Sequence, residues 1–241
     1  MPDSIELIDL RSDIADRTQR HALCWAFYEA VYREAFPKPD QSETPDVWLP
    51  LLDEDQPPPA PILHLVIARR VADGAVLGGI VIEYFRASHA ALVTYIAVSP
   101  ESRRQGLAKR LVDDAIARVT ADNAGKRPLV VAEVERPEAQ TTDADRHYAE
   151  ARLGIIAALG GRRIGITYIQ PSLGTDKAPQ TDLMLVTLGH DGHEARELPA
   201  ADVKAFIDEF FASLEQSQSA EHVAVVKSLK NERVALRGLL S

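Results

Sequence analysis

Apolar residues recur along this chain at two spacings, every second residue and every third or fourth, and the changes between them mark out its elements. Ser4 to Leu10 (SIELIDL) reads as a short strand, and Asp13 to Phe36 as a helix with Leu23, Phe27, Ala30 and Val31 on one stripe. Pro37 and Pro39 end that helix. The stretch from there to Pro61 holds Trp48, the run Pro57-Pro58-Pro59 and acids between them, and is expected to be mostly irregular. Ile62 to Arg70 (ILHLVIARR), a turn at Asp73-Gly74 and Ala75 to Arg86 (AVLGGIVIEYFR) read as a β-hairpin, and a further turn near Ser88 leads to the strand Ala91 to Ser99.

The meander feeds a helix from Gln105 to about Thr120, in which Leu107, Leu111, Val112, Ala115 and Val119 repeat at helical spacing. Leu129 to Glu135 (LVVAEVE) is the next strand, and a helix from about Thr142 to Leu159 is closed by Gly160-Gly161. Arg162 to Gln170 and Leu183 to Leu188 provide two more strands, joined by a polar loop from Pro171 to Thr181. His190 to Pro199 resembles a linker. Ala201 to Leu214, with Val203, Phe206, Ile207, Phe210 and Phe211 on one face, reads as a helix, and a weaker helical pattern covers about Ala220 to Leu236. The pattern predicts a mixed α/β domain of the α+β type over residues 1–189, its sheet mostly antiparallel, followed by a linker and C-terminal helical extension over 190–241. Those last helices are expected to dock on the main domain or to pair between subunits as a homodimer.

Composition narrows the class. With 241 residues, 46% hydrophobic and 26% charged, the chain falls in the range of globular domains and outside the disordered and fibrous ones. A single cysteine, Cys24, forms no internal disulfide, which fits a reducing compartment. Cys24 lies beside an apolar stripe and reads as a small buried residue, since no partner histidine is apparent. The formal charge of -9 argues against nucleic acid or an anionic membrane as the principal partner. Met1-Pro2-Asp3-Ser4 opens neither a secretory signal nor a spanning helix, so a cytoplasmic location is expected.

The segment from Tyr95 to Ala108 (YIAVSPESRRQGLA) joins an apolar strand directly to an amphipathic helix. Gly106 allows close backbone approach to a ligand, the first helical turn offers unpaired N–H groups, and the helix dipole favours an anion there. Arg103 and Arg104 add positive charge. Together these suit a pyrophosphate, which needs several converging donors. The same letters also describe a helix start flanked by two solvated arginines.

In that strand-to-helix position the chain resembles the GNAT superfamily, whose signature Arg/Gln-x-x-Gly-x-Gly/Ala is matched by Arg103, Gly106 and Ala108. The order of elements from about Ser4 to Leu188 follows the family's. The resemblance implies an N-acyltransferase that moves an acetyl or related group from acetyl-CoA, or another acyl-CoA, to a primary amine of a small-molecule or peptide acceptor, with no metal. It implies that backbone groups of Ile96 and Val98 pair with the pantetheine arm as an added strand, and that the amides of Arg104, Gln105, Gly106, Leu107 and Ala108 hold the pyrophosphate. A backbone donor near Val98 would polarise the thioester carbonyl.

N-acyl transfer needs a base to take a proton from the amine, and the leaving thiolate gains from a proton donor. Glu133, in Ala132-Glu133-Val134, resembles the strand glutamate that serves as base in some family members; Glu83 is the reserve candidate, and Glu135 shares the face of Glu133. An edge carboxylate paired with an arginine is the alternative for Glu133. Many relatives carry a tyrosine in the helix before its closing glycine, and here Ile156 stands in that place. Tyr148 and Tyr168 are the substitutes to consider. The missing tyrosine keeps open a second reading, in which the fold binds a CoA ester as a sensor or regulatory subunit; a third gives the C-terminal helices a partner-binding role.

Other candidates are weaker. His190-Asp191-Gly192-His193-Glu194 offers metal-ligand types at a spacing that matches no helical zinc motif and reads as a solvated linker, while the remaining histidines are scattered singly. Trp48, Tyr28 and Tyr32 could stack on an acceptor or simply pack. Glu43, Asp46, Asp53, Glu54 and Asp55 would suit a cationic amine, or form a solvated acidic face.

Overall fold

The computed structural model describes residues 4–38, 42–174, 177–188 and 196–240. The chain divides into two compact units, one made of residues up to Tyr84 together with Val93–Pro128, the other of Phe85–Leu92 with the chain from Leu129 onward.

In the first unit β1 (Ile5–Asp9), β2 (Ile62–Arg70), β3 (Val76–Phe85) and β4 (Ala90–Val98) are neighbours in that order. β2 runs antiparallel to both β1 and β3, with Ile8 opposite Ile67 and Leu65 opposite Val81. β2 and β3 are apolar almost throughout because helices cover both faces. A Cβ built on Gly79 would lie 2.7 Å from the Phe27 ring of α1 (Arg17–Phe27), so this glycine lets the helix close down on the sheet; one on Gly78 would lie 2.8 Å from the Ala97 carbonyl of β4 and 3.4 Å from Leu111 of α4 (Leu107–Asp122).

The first helix begins later than the pattern predicts. The Asp13 carboxylate accepts the Asp9 N–H at 2.9 Å, holding the chain in a turn, and Asp16 caps the helix by accepting the Gln19 N–H at 2.7 Å. After Phe27 the helix widens into a π turn, Tyr28–Tyr32, and ends in the short α2 (Arg33–Ala35). The stretch expected to be irregular contains α3 (Pro45–Asp53), with Trp48, Leu49 and Leu52 buried. Its proline opens the helix instead of preventing one, since the first turn has no use for that N–H.

One buried polar group ties this unit together. His64 of β2 is 3% exposed, with Nδ1 at 2.7 Å from Asp9 Oδ2 of β1 and Nε2 at 2.8 Å from Asp122 Oδ2 at the end of α4. Burial opposes its protonation, but the two carboxylates outweigh that and raise its pKa to about 9. Arg118 joins the same cluster through Asp13 at 2.8 Å.

The second unit orders its strands β5 (Leu129–Glu135), β7 (Leu183–Thr187), β6 (Arg162–Ile164), β9 (Arg233–Arg237) and β8 (Glu197–Pro199), each antiparallel to the next. Three predictions differ here. β6 stops at Ile164 instead of Gln170, because the Ile166 N–H turns back to the Ile164 carbonyl at 2.8 Å. β8 lies where a linker is predicted, and β9 replaces the end of the last predicted helix. In β9 Val234 and Leu236 are buried between exposed Arg233, Ala235 and Arg237, a period of two, and strands on both sides satisfy its backbone. Residues 190–195, which hold His190, Asp191, His193 and Glu194, lie outside the described residues.

Around these strands lie α5 (Asp143–Ala158), α6 (Ala200–Ser213) and α7 (Ala220–Ser228). The α6 stripe predicted from its spacing is buried, with Phe206, Phe210 and Phe211 in one core with Phe85, Val131 and Leu185. Glu209, on the same helix, is 8% exposed and accepts the N–H groups of Ala87 and Ser88 at 3.0 and 2.7 Å. A residue near the C-terminus thus fixes the turn between β3 and β4. The α+β class read from the pattern is the class observed.

Candidate functional site

The signature turn lies in the first unit. From β4 the chain passes through a single 3₁₀ turn, Pro100–Ser102, in which the Ser102 N–H donates to the Ser99 carbonyl at 2.9 Å. Arg104 then takes φ 61° and Gly106 φ 76°, and α4 opens at Leu107. Two residues with positive φ so close together make a tight turn at the helix start, the kind of turn in which successive N–H groups can serve an anion. Among the described residues, no protein acceptor takes the amides of Arg104 to Lys109; the first helical bond runs from the Arg110 N–H to the Gly106 carbonyl at 3.2 Å. A Cβ on Gly106 would touch nothing within 4 Å, so the positive φ, not crowding by the protein, is what asks for glycine.

Side chains reinforce the backbone. Arg103, Arg104 and Gln105 are exposed while Leu107 is buried and anchors the helix start. Arg103 Nε donates to the Val98 carbonyl at 3.1 Å, and Gln105 Nε2 to the Glu101 carbonyl at 2.9 Å. No carboxylate is paired with Arg103 or Arg104 among the described residues. Ile96 and Val98 stay half-exposed along β4 while Tyr95 and Ala97 are buried in the core. Unpaired amides beside two unneutralised guanidinium groups fit a pyrophosphate.

Glu133 lies in the second unit, on β5 opposite Leu185. It is half-buried, and both carboxylate oxygens receive a donor: the Tyr168 hydroxyl donates to Oε1, and Gln170 Nε2 to Oε2 at 2.7 Å. Loss of hydration raises its pKa above the usual carboxylate range, against the pull of those two hydrogen bonds. Burial and the neighbouring Glu133 raise the Tyr168 phenol as well. No arginine pairs with Glu133 in the described contacts, as the alternative reading required.

The other candidates divide. Glu135 is 6% exposed, and Arg152 lies 3.4 Å from its carboxylate. Arg152 also donates to the Tyr148 hydroxyl at 3.1 Å and stands 4.4 Å from its ring centroid, so Tyr148, 43% exposed, is a surface packing residue. Glu83 is half-buried on β3, opposite Leu63. Ile156, in the tyrosine's place, is buried at the end of α5, where its carbonyl accepts the Gly161 N–H at 2.9 Å. Gln170 was not singled out from sequence; its signal was the two-residue spacing from Tyr168, which puts both on one side of an extended segment.

Before the hairpin two aromatic residues turn inward, while Asp46, Glu54 and Asp55 are exposed. Trp48 and Tyr32 are fully buried, and Trp48 Nε1 donates to Glu43 at 2.8 Å. Asp53 is held by Arg17, Arg20 and His21, each at 2.8 Å, and Asp55 by Arg11. The Cys24 thiol is pushed up to about 12, chiefly by burial and then by Asp46 and Asp53, so it is no thiolate nucleophile. Among the described residues, no group of three or more His, Cys, Asp or Glu is placed to hold a metal ion, and no helix is long and apolar enough to cross a membrane.

A strand leading through an arginine-flanked turn into an amphipathic helix, within an α+β fold, is the arrangement expected around Arg103, Gly106 and Ala108 from the GNAT signature. A family model described as the Acetyltransferase (GNAT) family matches residues 25–154, more than half of the chain, and the chain belongs to that family. Among solved structures, a protein named for the GNAT family from Bacteroides thetaiotaomicron is 17% identical, with a TM-score of 0.56, over 89% of this chain and 99% of that one. It shares the fold. The protein yncA from Salmonella typhimurium, solved with its cofactor acetyl-CoA, is 19% identical with a TM-score of 0.47 over 80% of this chain and 97% of that one. No curated protein matches the chain.

Proposed function

We propose that this protein transfers an acetyl or related acyl group from acyl-CoA to a primary amine of a small molecule or peptide. The observation that carries this reading is the turn at Arg103 to Ala108, where amides without protein acceptors adjoin two arginines without carboxylate partners. In this reading those amides and arginines hold the pyrophosphate, and the half-exposed residues Ile96 and Val98 take the pantetheine arm. The amine nitrogen bonds to the thioester carbon, the carbon–sulfur bond breaks, the amine's proton passes to Glu133, and CoA leaves as thiolate and is protonated from solvent. A carboxylate raised above its ordinary range is a better proton acceptor, which supports Glu133 as the base, whereas Glu135 faces the Arg152 guanidinium at 3.4 Å.

A specific observation supports a second reading, binding without turnover: the family's tyrosine position is filled by the buried Ile156. Thiol release separates the two. With saturating acetyl-CoA and a broad panel of primary amines, the transferase reading expects amine-dependent free thiol; tight acetyl-CoA binding with no thiol above the hydrolysis background would leave the sensor.

A further inference from the structure

Resting on the base role proposed for Glu133, we infer that Tyr168 and Gln170 are its positioning residues: they fix one orientation of its carboxylate and set the pH at which it accepts a proton. Both neighbours are neutral donors. Tyr168 gives its hydroxyl to one oxygen, and Gln170 gives an amide N–H to the other at 2.7 Å. Each oxygen keeps a further lone pair for the incoming proton. A guanidinium in the same place would hold the carboxylate ionised and make it a weaker base.

The two donors are themselves anchored. Tyr168 is 5% exposed and belongs to the core built around α6. Gln170 exchanges a pair of backbone hydrogen bonds with Gln180, at 2.9 and 3.1 Å, which fixes the segment that presents its side chain. With its proton directed to Glu133 and its phenol made harder to ionise, Tyr168 is not the donor to a departing thiolate; its task is the base.

The test uses the full chain with carboxyl-13C-labelled glutamate, the Glu133 resonance being the one missing from Glu133→Gln. Tyr168→Phe keeps the ring and removes the donor, and Gln170→Leu removes the other. Losing one hydrogen bond to a charged group should raise the Glu133 midpoint by about one pH unit. The acid limb of kcat/KM for thiol release from acetyl-CoA, with the most active amine of the panel, should move by the same amount while KM for acetyl-CoA stays constant. Thermal melts report folding, and if Tyr168→Phe does not fold, Gln170→Leu carries the same measurement. An unchanged midpoint in the folded variants overturns the positioning role. A midpoint that moves while the acid limb stays overturns the base role of Glu133 itself.

Discussion

The turn at Arg103 to Ala108 and the cluster around Glu133 reach their chemistry by opposite routes. In the function proposed above, the exposed turn acts mainly through its backbone, with amides that meet no protein acceptor around Arg104 and Gly106 at positive φ and arginines beside them. Glu133 in that proposal acts through a side chain, half-buried, with donors supplied from residues 168 and 170. A backbone site is written in a contiguous stretch, because a few neighbouring residues determine the dihedrals. A tuned carboxylate depends on which distant side chains the fold delivers to it. Binding of the donor is accordingly the more local property, and basicity the more global one.

The largest break in that comparison is expected from Glu133→Gln, which removes the base while keeping shape. Amine-dependent thiol release should fall by about 10²- to 10⁴-fold, most steeply at low pH, while acetyl-CoA affinity holds, because the turn is untouched. A rate within twofold of the parent would move the base role to Glu83 or Glu135.

Next in size is the buried charge cluster of the first unit. His64 has a folded pKa raised from 6.5 to about 9, so its contribution to stability is fully present below pH 6.5 and is lost as pH rises through about 9. The amount at stake is on the order of 3 kcal/mol. Asp9 is the reverse case: burial works against it, but His64 holds its pKa below 3.8, so its contribution is present above that value and fades as pH falls further. Thermal melts of the parent and His64→Gln should differ most near pH 6 and converge above pH 9. Parallel curves across that range would remove the charged histidine from the account.

Smaller again is Glu209→Ala, which takes the acceptor from the amides of Ala87 and Ser88 and should cost about 1–3 kcal/mol in a denaturant titration. A loss below 0.5 kcal/mol, the scale of an ordinary surface substitution, would show that Glu209 of α6 is not needed to hold this turn.

What was legible in the sequence follows the same division. The α4 stripe of Leu107, Leu111, Val112, Ala115 and Val119 was readable because a helix's pattern is local, and the buried strands β2 and β5 were readable as short apolar runs between turn residues. β9 was not, since five residues alternating in burial become a strand only through partners on β6 and β8, far away in the chain. α3 was hidden by its prolines, read as breakers where Pro45 is a starter. The acidic run before the hairpin read as charge open to solvent or substrate; that Asp53 and Asp55 are occupied by arginines of α1 and Arg11 is again long-range information. At the site, Glu133 was found from its resemblance to a family position, and Gln170 was missed because its two-residue spacing from Tyr168 gains meaning only once the fold brings both to Glu133.

The central claim is that the turn binds the pyrophosphate of acyl-CoA through backbone amides, and calorimetry on Gly106→Val tests it most directly. The substitution places a branched side chain on a residue at φ 76°, a conformation costing roughly 1–2 kcal/mol in an L-residue. It crowds the face the amides present without touching the protein's own core. The account predicts saturable acetyl-CoA binding to the parent, weakened by inorganic pyrophosphate as competitor, and at least tenfold weaker binding to a variant that still melts cooperatively. Equal affinity for acetyl-CoA in the parent and the folded variant would contradict it.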